Sequence, residues 1–263
     1  MTVVGVIFPP DQPPEHLLPV ARAADAAGVE QLWLWEDCFA ESGIAPAAAA
    51  LAATERLTLG IGLLPVPLRN VALTAMEIAT LARMFPRRLV PGIGHGVLDW
   101  MDQVGARAAS PMTLLAEYTD ALQRLLRGER VDAEGRYVHL RGVQLTWPPA
   151  PAPRLLVGAV GDKTVRLAGD RADGVILTGD TPPERVREVR ELLGRPDADL
   201  AVFLPVDTTL PAGTVADRIG AHAAAGATHV VLLAVGDDVP PLEEYVSFVG
   251  TRVLPLVGAG EAS

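Results

Sequence analysis

The chain has 263 residues, 49% of them hydrophobic, and a formal net charge of −10. That acidity excludes wrapping a nucleic-acid backbone, which calls for a clustered basic face, and no window approaches the roughly 18 to 20 uninterrupted apolar residues of a membrane span. With no basic stretch before the first apolar run, and with Cys38 the single cysteine, the expected setting is the reducing cytoplasm.

Strand-length apolar runs alternate with segments of helical period along the whole chain. The first strand is predicted at 2–8, followed by a helix over 14–28 that Gly28 closes. Strands at 29–35 and 57–64 enclose a helix at 45–55, and a long helix at 70–85 leads to a fourth strand at 87–93. Ser110 and Pro111 open a helix over 110–128. A β-hairpin at 129–145, turning at Glu134 and Gly135, then interrupts the rhythm. Strands at 154–161, 173–179, 199–206 and 228–235 follow, with helices at 162–169, 182–194, 214–225 and 242–250.

Eight such units predict an α/β fold of the (β/α)8 (TIM) barrel type, whose covered parallel strands read as continuous apolar runs. A doubly wound sheet would more often place its glycine-rich loop after the first strand, where this chain has Phe8, Pro9 and Pro10. Residues 1–257 are read as one domain and 258–263 as a short tail.

In a barrel of this kind the chemistry gathers in the loops after the strands, because those loops share one mouth. Two of them are rich in glycine: Gly92-Ile93-Gly94-His95-Gly96 and Gly158-Ala159-Val160-Gly161-Asp162-Lys163. The second opens a helix, whose free N–H groups bind phosphate without net positive charge. Lys163 is the one lysine of the chain.

The segments LWLWEDCF, LGIGLLPVPLRN, LVPGIGHG and LLVGAVGDKTVRLAGDRADGVIL resemble the bacterial luciferase-like superfamily of flavin-dependent oxidoreductases. The likeness is closest to its deazaflavin (coenzyme F-420) branch, which includes methylenetetrahydromethanopterin reductases. The resemblance implies coenzyme F-420, or alternatively FMN, at the barrel mouth and hydride exchange with a small-molecule substrate. It places Asp37 by the polar edge of the ring and marks Asp37, Cys38 and His95 as candidate catalytic residues. Gly62 and Leu63 would form a bulge with a cis peptide that supports the ring. Gly94, His95 and Gly96 would lie beside the ribityl chain and phosphate; Gly158, Ala159, Val160, Gly161 and Lys163 would hold the phosphate, with Thr178 also contacting the cofactor. A phosphate contact of this kind makes Lys163→Ala cost about 1.5 to 3 kcal/mol of cofactor binding.

The chain departs from that pattern at Cys38, where several F-420 enzymes carry histidine, and at Val97, where sugar-phosphate dehydrogenases carry glutamate, so that activity is not transferred. Other readings stand beside the resemblance. Asp37 is equally a loop cap, Cys38 a small packing residue, and Lys163 a Schiff-base lysine of a lyase. The barrel is alternatively a cofactor-binding protein without turnover. His16, His139, His222 and His229 lack metal-ligand spacing. The helix at 70–85 is apolar on two faces, with Ala72, Ala75, Ala79 and Ala82 on one and Leu73, Met76, Ile78 and Leu81 on the other, which predicts a homodimer packed through it.

Overall fold

The computed structural model describes residues 2–177 and 179–260. Eight parallel strands form a closed barrel: β1 (Val3–Phe8), β2 (Gln31–Leu34), β3 (Thr58–Pro65), β4 (Leu89–Gly94), β7 (Leu156–Ala159), β8 (Gly174–Leu177), β9 (Asp199–Asp207) and β10 (His229–Val235). β1 closes the ring by pairing with both β2 and β10. The antiparallel hairpin of β5 (Val131–Glu134) and β6 (His139–Val143) stands outside it. The barrel and the hairpin excursion therefore follow the sequence reading.

The helices are α1 (Leu17–Ala27), α2 (Ile44–Ala53), α3 (Val71–Met84), α4 (Leu98–Gln103), α5 (Pro111–Leu126), α6 (Asp162–Arg171), α7 (Pro183–Leu193), α8 (Ala212–Ala224), α9 (Leu242–Phe248) and α10 (Leu254–Gly260). α4, a short helix inside the loop after β4, has no counterpart in the sequence reading. Its six residues are too few to show a helical period. Among the described residues no helix is long and apolar enough to cross a membrane.

The core has two layers. One lies between strands and helices; the other fills the barrel interior with Ile7, Trp33, Leu156, Ile176, Ala201, Phe203 and Val231. Trp33 sits edge-on to Phe203 at 5.7 Å and donates from Nε1 to Gln31 at 2.9 Å. A Cβ on Gly60 would overlap the Trp33 ring, so glycine on the neighbouring strand is what admits an indole to the barrel axis.

Asp25, near the end of α1, ties the chain entering β3 to that helix by accepting from the backbone N–H groups of Glu55, Arg56 and Leu57 at 3.0, 3.1 and 2.8 Å. Burial by itself would raise its carboxyl, but the three N–H donors and the Arg56 charge bring it below the ordinary range. A folded-state pKa lower than the unfolded one contributes stability above the unfolded value, lost as pH falls through the folded one. Asp25→Ala is therefore expected to cost about 1–3 kcal/mol at neutral pH. Urea unfolding at pH 7 and at pH 3 checks this: the difference between the two proteins should shrink at the lower pH.

Candidate active site

The C-terminal ends of β2, β3, β4 and β7, with Phe203 from the middle of β9, surround a cavity of about 460 Å³. Asp37, Gly62, Leu63, His95, Gly96 and the whole run Gly158, Ala159, Val160 and Gly161 lie on its wall, together with Trp35, Glu36, Pro65, Val97, Trp100, Thr164, Gly179 and Phe203. Most of the residues singled out from sequence are thus brought together. Cys38, Gly94 and Lys163 are not on the wall, and Thr178 lies outside the described residues.

The Gly62–Leu63 peptide is cis, as the resemblance implies, and the β3–β4 register shifts between Ile61 and Leu64. This bulge turns Leu63 across the barrel mouth. A Cβ at Gly94 would come within 2.5 Å of Leu63 Cδ2, and one at Gly158 would overlap the same methyl. The space at these two glycines therefore accommodates Leu63. Gly96, at φ 69°, packs against Pro65 and Met101. Gly161 differs from all of these, because nothing lies within 4 Å of where its Cβ would be. It is the N-cap of α6, so backbone donors of the first helical turn are open to a ligand there.

Lys163 is the second residue of α6 and is exposed. It lacks the buried setting that a Schiff-base lysine needs. Its neighbour Asp162 is paired with Arg185 Nη2 at 2.6 Å.

Two adjacent carboxylates reach the cavity in different states. Glu36 is buried and fully engaged: Oε2 accepts from Gly43 N and from Arg69 Nη2, both at 2.6 Å, and Oε1 accepts from Arg69 Nε at 3.2 Å. Arg69 also donates to Glu77 at 3.0 Å. Burial draws the Arg69 guanidinium down, but the bond to Glu36 and the two carboxylate charges hold it above its ordinary range. Asp37 is the free one. Burial alone pushes its carboxyl above the usual carboxylate range, with no hydrogen bond or opposite charge to offset it.

Burial, then the charges of Glu36 and Asp37, push the Cys38 thiol up, so it is a poor nucleophile. Burial lowers His95, against a backbone contact with Pro111, which favours a neutral imidazole. Among the described residues, His95 Nδ1 and Trp35 Nε1 are both buried without a hydrogen-bond partner. Both residues line the cavity, but these two nitrogens are turned away from its open space.

The aromatic wall is what the sequence reading missed. Trp35 and Phe203 pack at 5.4 Å between ring centroids, and Trp100 on α4 lines the same cavity. The spacing of Trp33 and Trp35 did carry a signal, since alternate strand residues share a face. For Phe203, inside the continuous apolar run from Leu200 to Val206, there was none.

A parallel barrel whose mouth carries a glycine-bordered helix N-terminus and an aromatic wall has a candidate ligand site there. Residues 2–210 match the family model of the luciferase-like monooxygenases, and the chain belongs to that family. It is 27% identical over 189 residues, 72% of its length, to the 5,10-methylenetetrahydromethanopterin reductase of Methanolobus tindarius. The match spans 57% of that relative's length. The fold is similar to that of the coenzyme F-420-dependent tetrahydromethanopterin reductase from Methanopyrus kandleri, with a TM-score of 0.82 and 19% identity, covering 97% of this chain and 99% of the other. It is also similar to the oxygenating constituent of 3,6-diketocamphane monooxygenase from Pseudomonas putida, solved in complex with FMN (TM-score 0.74, 16% identity, 97% and 98% covered).

Proposed function

We propose that the protein is an oxidoreductase that binds coenzyme F-420 at this mouth, with FMN the alternative, and exchanges a hydride with a small organic molecule. The observation that carries this reading is the composition of the cavity wall. The Gly62–Leu63 bulge, the aromatic residues and the open N-terminus of α6 border one space, in a chain of a family whose relatives are named for deazaflavin and flavin. The Asp37 carboxyl on the same wall fits the polar edge of such a ring system. When bound, the cofactor would supply the hydride donor or acceptor that the side chains lack.

The chain's own part is to position and to exclude water. Leu63 forms a fixed apolar shelf, Trp35, Trp100 and Phe203 wall the space, and the α6 terminus holds the phosphate through main-chain N–H groups. Asp37, unpaired and half-buried, is the group available to hold or move a proton, and His95, neutral, to give a hydrogen bond.

Separate fluorescence titrations with F-420 and FMN test the reading, and micromolar binding of neither would remove it. Bound cofactor without turnover on any reductant would instead support a binding protein. Because Lys163 is exposed and off the wall, Lys163→Ala is expected to cost less than about 1 kcal/mol of affinity, below the range that the sequence reading assigns. A larger loss would put Lys163 back on the phosphate.

The same reading makes the protein a homodimer through α3. Ile78 and Leu81 are buried, leaving Leu73, Met76 and Met84 exposed along its outer side, with Trp147 exposed beside Arg83. Met76→Asp is expected to weaken association by about tenfold or more, as loss of a central apolar contact does. Sedimentation velocity across a concentration series reads it, and an unchanged profile would exclude α3 as the interface.

A further inference from the structure

The cavity wall has an uneven charge inventory. Among its described residues it carries two carboxylates, Glu36 and Asp37, and no lysine or arginine. The basic side chains set nearest by the surrounding elements are already committed or stand elsewhere. Arg69 spends its guanidinium on Glu36 and Glu77. Arg185 is paired with Asp162 at 2.6 Å and with Glu188 at 3.0 Å. Lys163 is exposed and off the wall.

Among the described residues of the wall an anionic group could therefore be met by neutral donors but by no cation, and the cofactor phosphate of the proposed function occupies the strongest of these, the backbone N–H groups at the start of α6. Away from that end the surface is formed by Trp35, Trp100, Phe203, Leu63 and Val97, interrupted by Asp37. Glu36 is neutralised by its bidentate partner, so Asp37 sets the local charge.

Resting on that reading, we infer that the substrate is uncharged and largely apolar, with one hydrogen-bond donor facing Asp37, and that carboxylate and phosphate compounds are rejected. A carboxylate entering this space would be desolvated beside Asp37 with no counter-charge, and close like charges in a poorly hydrated site repel strongly. An uncharged amide of the same shape escapes that repulsion and brings an N–H that can donate to the Asp37 carboxylate. The burial that raises the Asp37 carboxyl points the same way, because it shows that no cation compensates it.

The test compares ligands that differ only in charge. Benzamide, benzoate and benzylammonium are titrated at pH 8 by ligand-observed NMR, into protein loaded with cofactor and into protein without it. Excess inorganic phosphate is present in the second case to fill the α6 terminus. Benzamide is expected to bind in both, with benzoate weaker by at least about tenfold, the factor that about 1.4 kcal/mol of repulsion produces. Asp37→Asn should narrow that gap to less than about threefold, since it removes the charge and keeps the shape.

Benzoate binding as tightly as benzamide would overturn the inference, as would a wide gap that persists in Asp37→Asn. Benzylammonium binding about tenfold tighter than benzamide would overturn it in favour of an amine substrate, and binding of none of the three would overturn it outright. Failure of both F-420 and FMN to bind would remove the oxidoreductase reading instead, while the order of benzamide over benzoate would still be read in the protein without cofactor.

Discussion

Replacing Arg69 by methionine is expected to destabilise the fold by about 3–5 kcal/mol, the cost of breaking a buried ion pair by removing one partner. Glu36 is 8% exposed and Arg69 14% exposed on their side chains, so little water is available to take over from the missing guanidinium. Glu36 would keep its Gly43 N–H bond but lose both bonds from Arg69. Glu77, more exposed at 23%, can be solvated and adds less. The loss should therefore trace to Glu36. Glu36→Gln combined with Arg69→Met is expected to recover much of the stability, because no buried charge is left without a partner. Urea unfolding of both variants checks this. A loss below about 1 kcal/mol in the single variant would mean that the pair behaves as a surface salt bridge and that the cavity hydrates Glu36 freely.

Gly158→Ala should act on the ligand more than on the fold. The new methyl would overlap Leu63 Cδ2, while its next contacts, Leu63 Cγ at 3.6 Å and Ile93 O at 3.8 Å, are ordinary. One flexible side-chain end must move. Gly94 bars it from going deeper, since Leu63 already fills the space there, so it turns toward the cavity. Overpacking of this kind costs about 1–3 kcal/mol, and here the cost should appear as lost cofactor affinity. Leu63→Ala in the Gly158→Ala background removes the displaced group and should restore most of the binding. Fluorescence titration of the single and double variants with the cofactor that the wild type binds decides it. Equal loss in both would show that Gly158 itself, and not Leu63, meets the ligand.

The barrel was legible because its information is local. Continuous apolar runs such as those ending at Leu34 and Leu177 mark strands covered on both sides, and apolar residues at helical spacing in α5 and α7 mark the outer ring. The loops that reach the mouth followed from that alternation alone, and the resemblance then singled out Asp37, His95 and the run Gly158 to Gly161 within them. The short α4 escaped because six residues carry too little period.

What the chain order could not show is which side chain fills which space. Gly94 and Gly158 lie 64 residues apart and have the same occupant, a leucine from a third strand. Glu36 and Arg69 meet only because β2 and β3 are neighbours in the barrel and their loops turn to the same mouth. Glycine in a sequence reports that a side chain is absent, and a lone carboxylate reports that charge is present. Whether the space admits a ligand or a leucine, and whether the charge is free or paired, depends on atoms brought in by closure of the barrel. The sequence by itself determined the alternation of elements and the set of loops at the mouth. Tertiary structure decided that Leu63 fills the glycine gaps, that Arg69 quiets Glu36, and that Asp37 is left as the unpaired charge facing the cavity.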